Sequence, residues 1–229
     1  MRIVTWNCNG AFRRKLQQVD ALQADILVIQ ECENPEASDA DYKRWSGKYL
    51  WAGKDKSRGI GIFLRRGNSL ERLDWEDQGL EAFLPVRIDG HMDLVVVWTK
   101  KTKSSAYIGQ FWRYLQLHKS VLNIDTVICG DFNSNTIWDK RARVWNHSEC
   151  VRELEECGFR SLYHQSTSEP QGLETCPTFF LQRNPSKPYH IDYAFVHQNR
   201  NVNGTAGLTI GKPDDWLKYS DHMPLTFEL

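Results

Sequence analysis

The sequence predicts an α/β fold, a sandwich of two packed β-sheets with helices on the outside, formed as one domain over residues 1–229. Two observations carry this. Short runs rich in Val, Ile, Leu and aromatic residues, bounded by Gly, Asp, Asn or Pro, recur along the whole chain and outnumber helical patterns. Several of these runs are almost wholly apolar, as strands are when both faces are buried.

In chain order, strand patterns fall at 2–6, 25–30, 59–64, 83–88, 92–98, 125–129, 178–181, 191–196 and 224–229. Helical patterns are fewer. Leu16, Val19 and Leu22 recur every third residue. The stretch 107–122 carries Phe111, Tyr114, Leu115, Leu117 and Leu122 among polar residues. At 148–157, Val151, Leu154 and Cys157 share one face, with Ser148 as expected N-cap and Gly158 as expected C-cap. No repeat, low-complexity stretch or linker interrupts the pattern.

The bulk numbers narrow the function. A hydrophobic fraction of 41% in 229 residues is enough for a real core. Lys+Arg and Asp+Glu are both 29, so the formal net charge is zero. A protein that coats nucleic acid carries a basic excess, so any polyanion here must be held by a local patch or by metal. Cys8, Cys32, Cys129, Cys150, Cys157 and Cys176 include no C-x-x-C pair and no zinc-like cluster with His. They read as reduced, mostly buried thiols. The N-terminus enters a strand pattern with no signal-peptide core, and the longest apolar runs are too short to span a bilayer. The expectation is a cytoplasmic monomer with no membrane contact and no obligate protein partner.

Polar residues that do not belong in a core sit at the strand ends. They are found in Trp6-Asn7-Cys8-Asn9-Gly10, Gln30-Glu31, Gly130-Asp131-Phe132-Asn133, His190-Ile191-Asp192-Tyr193 and Ser220-Asp221-His222. Strand ends on one side of a sheet stack can converge on one site. The set is rich in oxygen ligands and lacks a cysteine, which selects magnesium, manganese or calcium over zinc. Carboxylates with Asn and His suit phosphoester hydrolysis. A cation neutralises phosphate oxygens, a carboxylate orients water, and imidazole and amides hold the phosphoryl group. Each motif alone also reads as an ordinary turn.

The ordered set Trp-Asn-x-x-Gly, Gln-Glu, Gly-Asp-x-Asn, Ile-Asp-Tyr and Ser-Asp-His-x-Pro, running from Asn7 to Pro224, resembles the endonuclease/exonuclease/phosphatase superfamily. That group holds exonuclease III, apurinic endonucleases and DNase I-like enzymes. Arg58-Gly-Ile-Gly-Ile-Phe63 is similar to its glycine-containing core strand. The resemblance implies a four-layer α/β sandwich with mixed sheets. It implies Mg2+ as cofactor, with Mn2+ able to substitute, held chiefly by Glu31 with Asn7 beside it and Asp221 helping. It implies that Asp131 activates water, that Asn133 and His222 hold the phosphate, and that Asp192 orients His222. The reaction would be in-line attack of water, leaving a 5′ phosphate. One departure stands out. Where the superfamily usually places Tyr or His after the central strand, this chain reads Val97-Trp98-Thr99-Lys100-Lys101, so Lys100 takes the slot and binds phosphate as a point charge.

DNA is the expected substrate, cut as a 3′-to-5′ exonuclease, an apurinic endonuclease or both. In the apurinic branch an apolar pocket accepts a flipped sugar. Thr178-Phe179-Phe180 and Tyr189-His190-Ile191-Asp192 are similar in type and order, which makes Phe179, Tyr189 and Ile191 pocket candidates, although strand aromatics are also ordinary core. Basic clusters lie at Arg13-Arg14-Lys15, Arg65-Arg66, Lys100-Lys101-x-Lys103 and Lys140-Arg141-x-Arg143, each expected to be a solvated surface. The last carries more weight, because Trp138 and Trp145 interleave it and Trp138, Lys140 and Arg141 could track a phosphate backbone and stack on bases. A phosphatase or phosphodiesterase of this fold acting on a small or lipid phosphoester is the alternative. A non-catalytic binding module is disfavoured by the complete Glu31, Asp131, Asn133, Asp192 and His222 set.

Overall fold

The computed structural model describes residues 1–81, 83–102, 107–200 and 207–229. Its strands are β1 (Arg2–Asn7), β2 (Ile26–Cys32), β3 (Lys48–Asp55), β4 (Arg58–Leu64), β5 (Leu70–Arg72), β6 (Phe83–Ile88) and β7 (Met92–Trp98). They continue as β8 (Thr126–Asp131), β9 (Phe159–Ser161), β10 (Phe179–Phe180), β11 (Pro188–Tyr189), β12 (Asp192–His197), β13 (Thr209–Ile210) and β14 (Leu225–Glu228). The α-helices are α1 (Leu16–Asp20), α2 (Ala40–Ser46), α3 (Ile108–His118), α4 (His147–Glu156), α5 (Leu162–Thr167) and α6 (Pro213–Trp216).

Two six-stranded sheets result, in the orders β13-β14-β1-β2-β4-β3 and β5-β6-β7-β8-β12-β9, with β10 and β11 forming a small ribbon. Both large sheets are mixed. β1 pairs with β2 in parallel, β7 pairs with β8 in parallel, and their other neighbours run antiparallel.

Strand alternation explains the layers. In β2, Ile26 and Val28 enter the core between the sheets, while Leu27 and Ile29 face the outer cluster with Val19, Tyr42 and Trp216. In β7, Leu94 and Val96 face the inter-sheet core, while Val95 and Val97 face α3 and α4 through Phe111, Tyr114 and Leu154. Helices therefore cover both outer faces, giving the expected four layers. Each fully buried aliphatic or Phe side chain contributes roughly 1.5–3 kcal/mol, so apolar runs with two buried faces fix the stack.

The differences from expectation are local. β3 reads Lys-Tyr-Leu-Trp-Ala-Gly-Lys-Asp, a half-exposed edge strand whose polar residues hide its period. β5, β9, β11 and β13 span two or three residues, too short to show one. α2, α5 and α6 are likewise short, of seven, six and four residues, and show no helical period in the sequence. The expected strand at 178–181 narrows to Phe179–Phe180, because Leu181 starts a 3-10 turn. The helix expected at 107–122 ends at His118. Ser148 is not the cap of α4: the helix starts at His147, and the Asp139 carboxylate accepts the N–H groups of His147 (2.8 Å) and Ser148 (3.1 Å). Gly158 does end α4, with φ +84°. Lys103 lies outside the described residues.

Candidate active site

The register of the two sheets brings the polar strand ends together. Asn7 lies opposite Gln30 at the ends of β1 and β2, and Asp131 lies opposite both Trp98 and Asp192 at the ends of β7, β8 and β12. His222 sits just before β14, bridged to Phe179. Two backbone devices aim the carboxylates. Glu31 is the bulged residue between Gln30 and Cys32 and has φ +62°, which turns its side chain out of the ladder and towards the site. Gly130 has φ +140°, and a Cβ there would lie 2.0 Å from the Val97 carbonyl oxygen. Only glycine permits β8 to approach β7 this closely just before Asp131.

Hydrogen bonds link Glu31, Asn7, Asp131 and Asn133, and separately His222 and Asp192, the two groups meeting where His222 approaches Asp131. The Asn7 amide nitrogen donates to Glu31 Oε1 (3.2 Å) and Asp131 Oδ2 (2.9 Å). Asn133 donates its backbone N–H to Asp131 Oδ1 (2.8 Å) and its side-chain amide to Asp131 Oδ2 (2.8 Å) and the Thr99 carbonyl (2.9 Å). His222 Nδ1 lies 3.1 and 3.0 Å from the two Asp192 oxygens, and its Nε2 lies 3.9 Å from Asp131 Oδ2. Asp131, Asp192 and His222 are all buried.

Burial sets the electrostatics of this cluster. It raises the Asp131 carboxyl well above the usual carboxylate range; the His222 charge opposes the rise and Asp192 adds to it. Burial alone would lower His222, but Asp192 first and Asp131 next outweigh it and hold the imidazole well above its ordinary range. The two acids thus favour the imidazolium form of His222, with Asp192 as its nearer counter-charge.

Three hydroxyl groups within the sequence motifs, to which the sequence assigned no role, hold this arrangement. Thr178 Oγ1 accepts the N–H groups of Ile191 and Asp192 (both 3.0 Å). Ser220 Oγ donates to the Asn7 carbonyl (2.7 Å) and accepts from His222 N–H (3.0 Å). The Thr99 hydroxyl bonds the Phe132 carbonyl. The cluster Arg13-Arg14-Lys15 is not simply a solvated surface: Lys15 is buried, and its ammonium donates to the carbonyls of Cys8 and Gly10 (2.7 Å to Gly10), pinning the loop after β1. Arg13 pairs with Glu33.

The remaining candidates fall in three places. Lys100 reaches outward, 3.9 Å from Glu81 Oε2 and 4.6 Å over the Trp98 ring. Asp221 is half-buried; its carbonyl accepts Phe180 N–H, and its charge helps raise His222. The apolar candidates do cluster. Ring centres run from exposed Trp138 to Tyr189 (5.2 Å), to Phe179 (6.3 Å) and to His222 (4.6 Å). Trp138, Phe179 and Ile191, with Tyr107, Leu181 and Asn133, line a cavity of about 440 Å3 beside the site. Lys140 and Arg141 are exposed next to it, and Arg143 also lines it.

The donors fit a hard divalent cation. Ligand atoms of Asp131, Asp192 and His222 lie within 4.8 Å of one another, but there the imidazolium already serves as counter-charge. The Glu31 carboxylate, 17% exposed, is a further residue that could hold a cation. Asn7 turns its amide nitrogen to both carboxylates, and its oxygen accepts from Asn9 N–H (3.0 Å), so in this arrangement it joins Glu31 to Asp131 rather than offering an oxygen ligand. All six cysteines are free thiols and none lines the site. No helix among the described residues is long and apolar enough to cross a membrane.

Among solved structures, the chain is similar to the 3′-5′ exonuclease NExo from Neisseria meningitidis, with TM-score 0.73 and 18% identity over 100% of this chain and 99% of that one. It is similar to a structure titled as the 3′ phosphatase NExo from Neisseria bound to product DNA hairpin (TM-score 0.70, 19% identity, 100% and 99% covered). It is also similar to an AP endonuclease from Archaeoglobus fulgidus (TM-score 0.71, 20% identity, 99% and 98% covered). No curated protein matches it in sequence. The profile of the Endonuclease/Exonuclease/phosphatase family matches residues 4–222, nearly the whole chain. With the polar strand ends of both sheets gathered into one buried cluster, the chain belongs to the endonuclease/exonuclease/phosphatase family.

Proposed function

We propose that this chain, as a single catalytic domain over 1–229, is a magnesium-dependent phosphodiesterase that hydrolyses DNA, removing 3′-terminal nucleotides, nicking at abasic sites, or both. The observation that carries the reading is the unbroken chain Glu31–Asn7–Asp131–Asn133, closed by His222 and Asp192, beside an aromatic-lined cavity. Seated on Glu31, a magnesium ion would neutralise non-bridging phosphate oxygens and the departing 3′ oxygen. Mn2+ would substitute.

This chain's own residues do the rest. Asp131, with its carboxyl raised by burial, takes a proton from water and aims the oxygen at phosphorus. The two Asn amides fix the Asp131 rotamer, so the attack is in line and a 5′ phosphate is left. The His222 imidazolium stabilises the charge that gathers on the phosphoryl oxygens, and Asp192 keeps it protonated and oriented. Phe179, Tyr189, Ile191 and Trp138 receive the nucleotide next to the cut. A cavity of about 440 Å3 falls in the range, roughly 300–1,000 Å3, that encloses whole small molecules, which supports a base-bearing nucleotide as well as a bare sugar. Lys140 and Arg141 would track the backbone, and Asp221 would support the cation. For Lys100 to bind phosphate, its ammonium would leave a loose ion pair with Glu81.

A second reading, a phosphatase acting on a phosphomonoester, is favoured by the zero net charge, which gives no long-range attraction for duplex DNA. One panel separates them: an end-labelled duplex, the same duplex with an internal abasic site, a 3′-phosphorylated duplex and a small aryl phosphate, each with magnesium. A ladder from the 3′ end or a nick at the abasic site supports the nuclease. Intact DNA with phosphate released from either monoester supports the phosphatase.

A further inference from the structure

Arg58 opens β4 and faces the same carboxylate that seats the cation. Its Nη1 lies 2.9 Å from Glu31 Oε2, while Glu31 Oε1 takes the Asn7 amide at 3.2 Å. Both oxygens of Glu31 are therefore already engaged by protein, Oε1 by the Asn7 amide and Oε2 by an ion pair with Arg58. The contact is built by the backbone. The bulge at Glu31 leaves Cys32 opposite Gly59, and Arg58 closes the β3–β4 hairpin opposite Asp55. A Cβ at Gly59 would lie 2.3 Å from the Trp51 ring, so the ring can pack flat there only on glycine; its Nε1 bonds the Cys32 carbonyl (3.2 Å). Trp51 thus clamps the residue after Glu31 and the residue after Arg58 together. The guanidinium also reaches the loop after β1, where a Cβ at Gly10 would lie 3.6 Å from its Nη2. The Arg58 side chain is 55% exposed, so it stands at the mouth between Glu31 and solvent.

We propose that Arg58 couples cation binding at Glu31 to phosphate binding. The proposal rests on Glu31 being the cation seat. Without phosphate, the guanidinium holds one Glu31 oxygen and adds a like charge next to any divalent cation, which weakens that cation's hold. A phosphodiester offers the guanidinium a better, two-pronged acceptor. Arg58 then turns from Glu31 to the phosphate, and both carboxylate oxygens become available. Coupling of this kind is reciprocal, so cation and DNA each tighten the other. The enzyme thereby holds its cation firmly only when there is a bond to cut.

The test is Mn2+ binding, read by the paramagnetic resonance signal of free Mn2+, with and without a duplex whose terminal linkages are phosphorothioates. Wild type, Arg58→Met (which keeps the hydrocarbon stem) and Glu31→Gln are compared as full chains. Without DNA, Arg58→Met should bind Mn2+ roughly tenfold more tightly than wild type. The duplex should tighten Mn2+ roughly tenfold in wild type and barely at all in Arg58→Met. Unchanged or weaker Mn2+ binding by Arg58→Met overturns the proposal, as does an intact duplex effect in that variant. A wild type that binds no Mn2+, or a Glu31→Gln variant that binds as well as wild type, instead overturns the cation seat itself and the coupling with it.

Discussion

His222 owes its charge to its neighbours. Asp192 is its strongest raising influence, and with Asp192→Asn the burial that favours neutral imidazole should win. In the proposed mechanism the active form is the imidazolium, so activity should be present below the His222 pKa and lost as pH rises through it. The alkaline limb of kcat/KM should therefore move to lower pH in Asp192→Asn by at least about one unit. A limb that stays in place would show that another group sets it. His222→Ala should lose about a hundredfold or more in kcat with the fold intact, by analogy with removing one preorganised donor. Lys100→Ala should raise KM and flatten the salt dependence; no change in either would make Lys100 a partner of Glu81 only. The charged members of the site were legible in the sequence because carboxylates and a histidine at strand ends have no place in a core. Thr178, Ser220 and Lys15 stood in quoted motifs, but what they bond was not legible. Their side chains are common in any loop, and Ser220 meets Asn7 across 213 positions of sequence.

At the scale of the element, apolar periodicity reported what is buried on two faces and missed what is not. β6 and β7 have the bounds that their apolar runs gave. β3 escaped because an edge strand needs no inward alternation at its polar end. The α4 cap escaped because Asp139 supplies it from outside the helix. The β7–β8 contact was also invisible, since a glycine before an aspartate reads as a turn. Gly130→Ala should destabilise the protein by more than about 3 kcal/mol, because φ +140° is closed to alanine and its Cβ would meet the Val97 carbonyl. Thermal melting measures this; a loss below about 1 kcal/mol would mean that β8 can move off β7, and then Asp131 should move with it.

Over the whole molecule, buried histidines make folding sensitive to acid. His147 is buried against Tyr193 (5.0 Å), and burial lowers its pKa to about 4. His190 is lowered in the same way. In the unfolded chain both regain ordinary values near about 6.5, so the unfolded state binds protons first on acidification. The contribution of these two histidines to stability should be full above about pH 6.5 and fall as pH drops towards 4, by up to about 3 kcal/mol for His147, while the raised Asp131 carboxyl works in the opposite direction over the same range. Urea unfolding of wild type and His147→Gln across that range isolates the His147 contribution: the stability difference between them should change as pH falls, and a difference that stays constant with pH would contradict it. Function is likewise a property of the whole stack, because Glu31 comes from one sheet and Asp131 from the other, joined by the Asn7 amide. The most direct test of that union is cleavage of an end-labelled duplex by wild type and Glu31→Gln, in chelator and across a magnesium titration. Cleavage absent in chelator, restored by magnesium in wild type, and shifted to much higher magnesium in Glu31→Gln is the predicted result. Equal cleavage by both proteins in chelator would contradict the cation-dependent site.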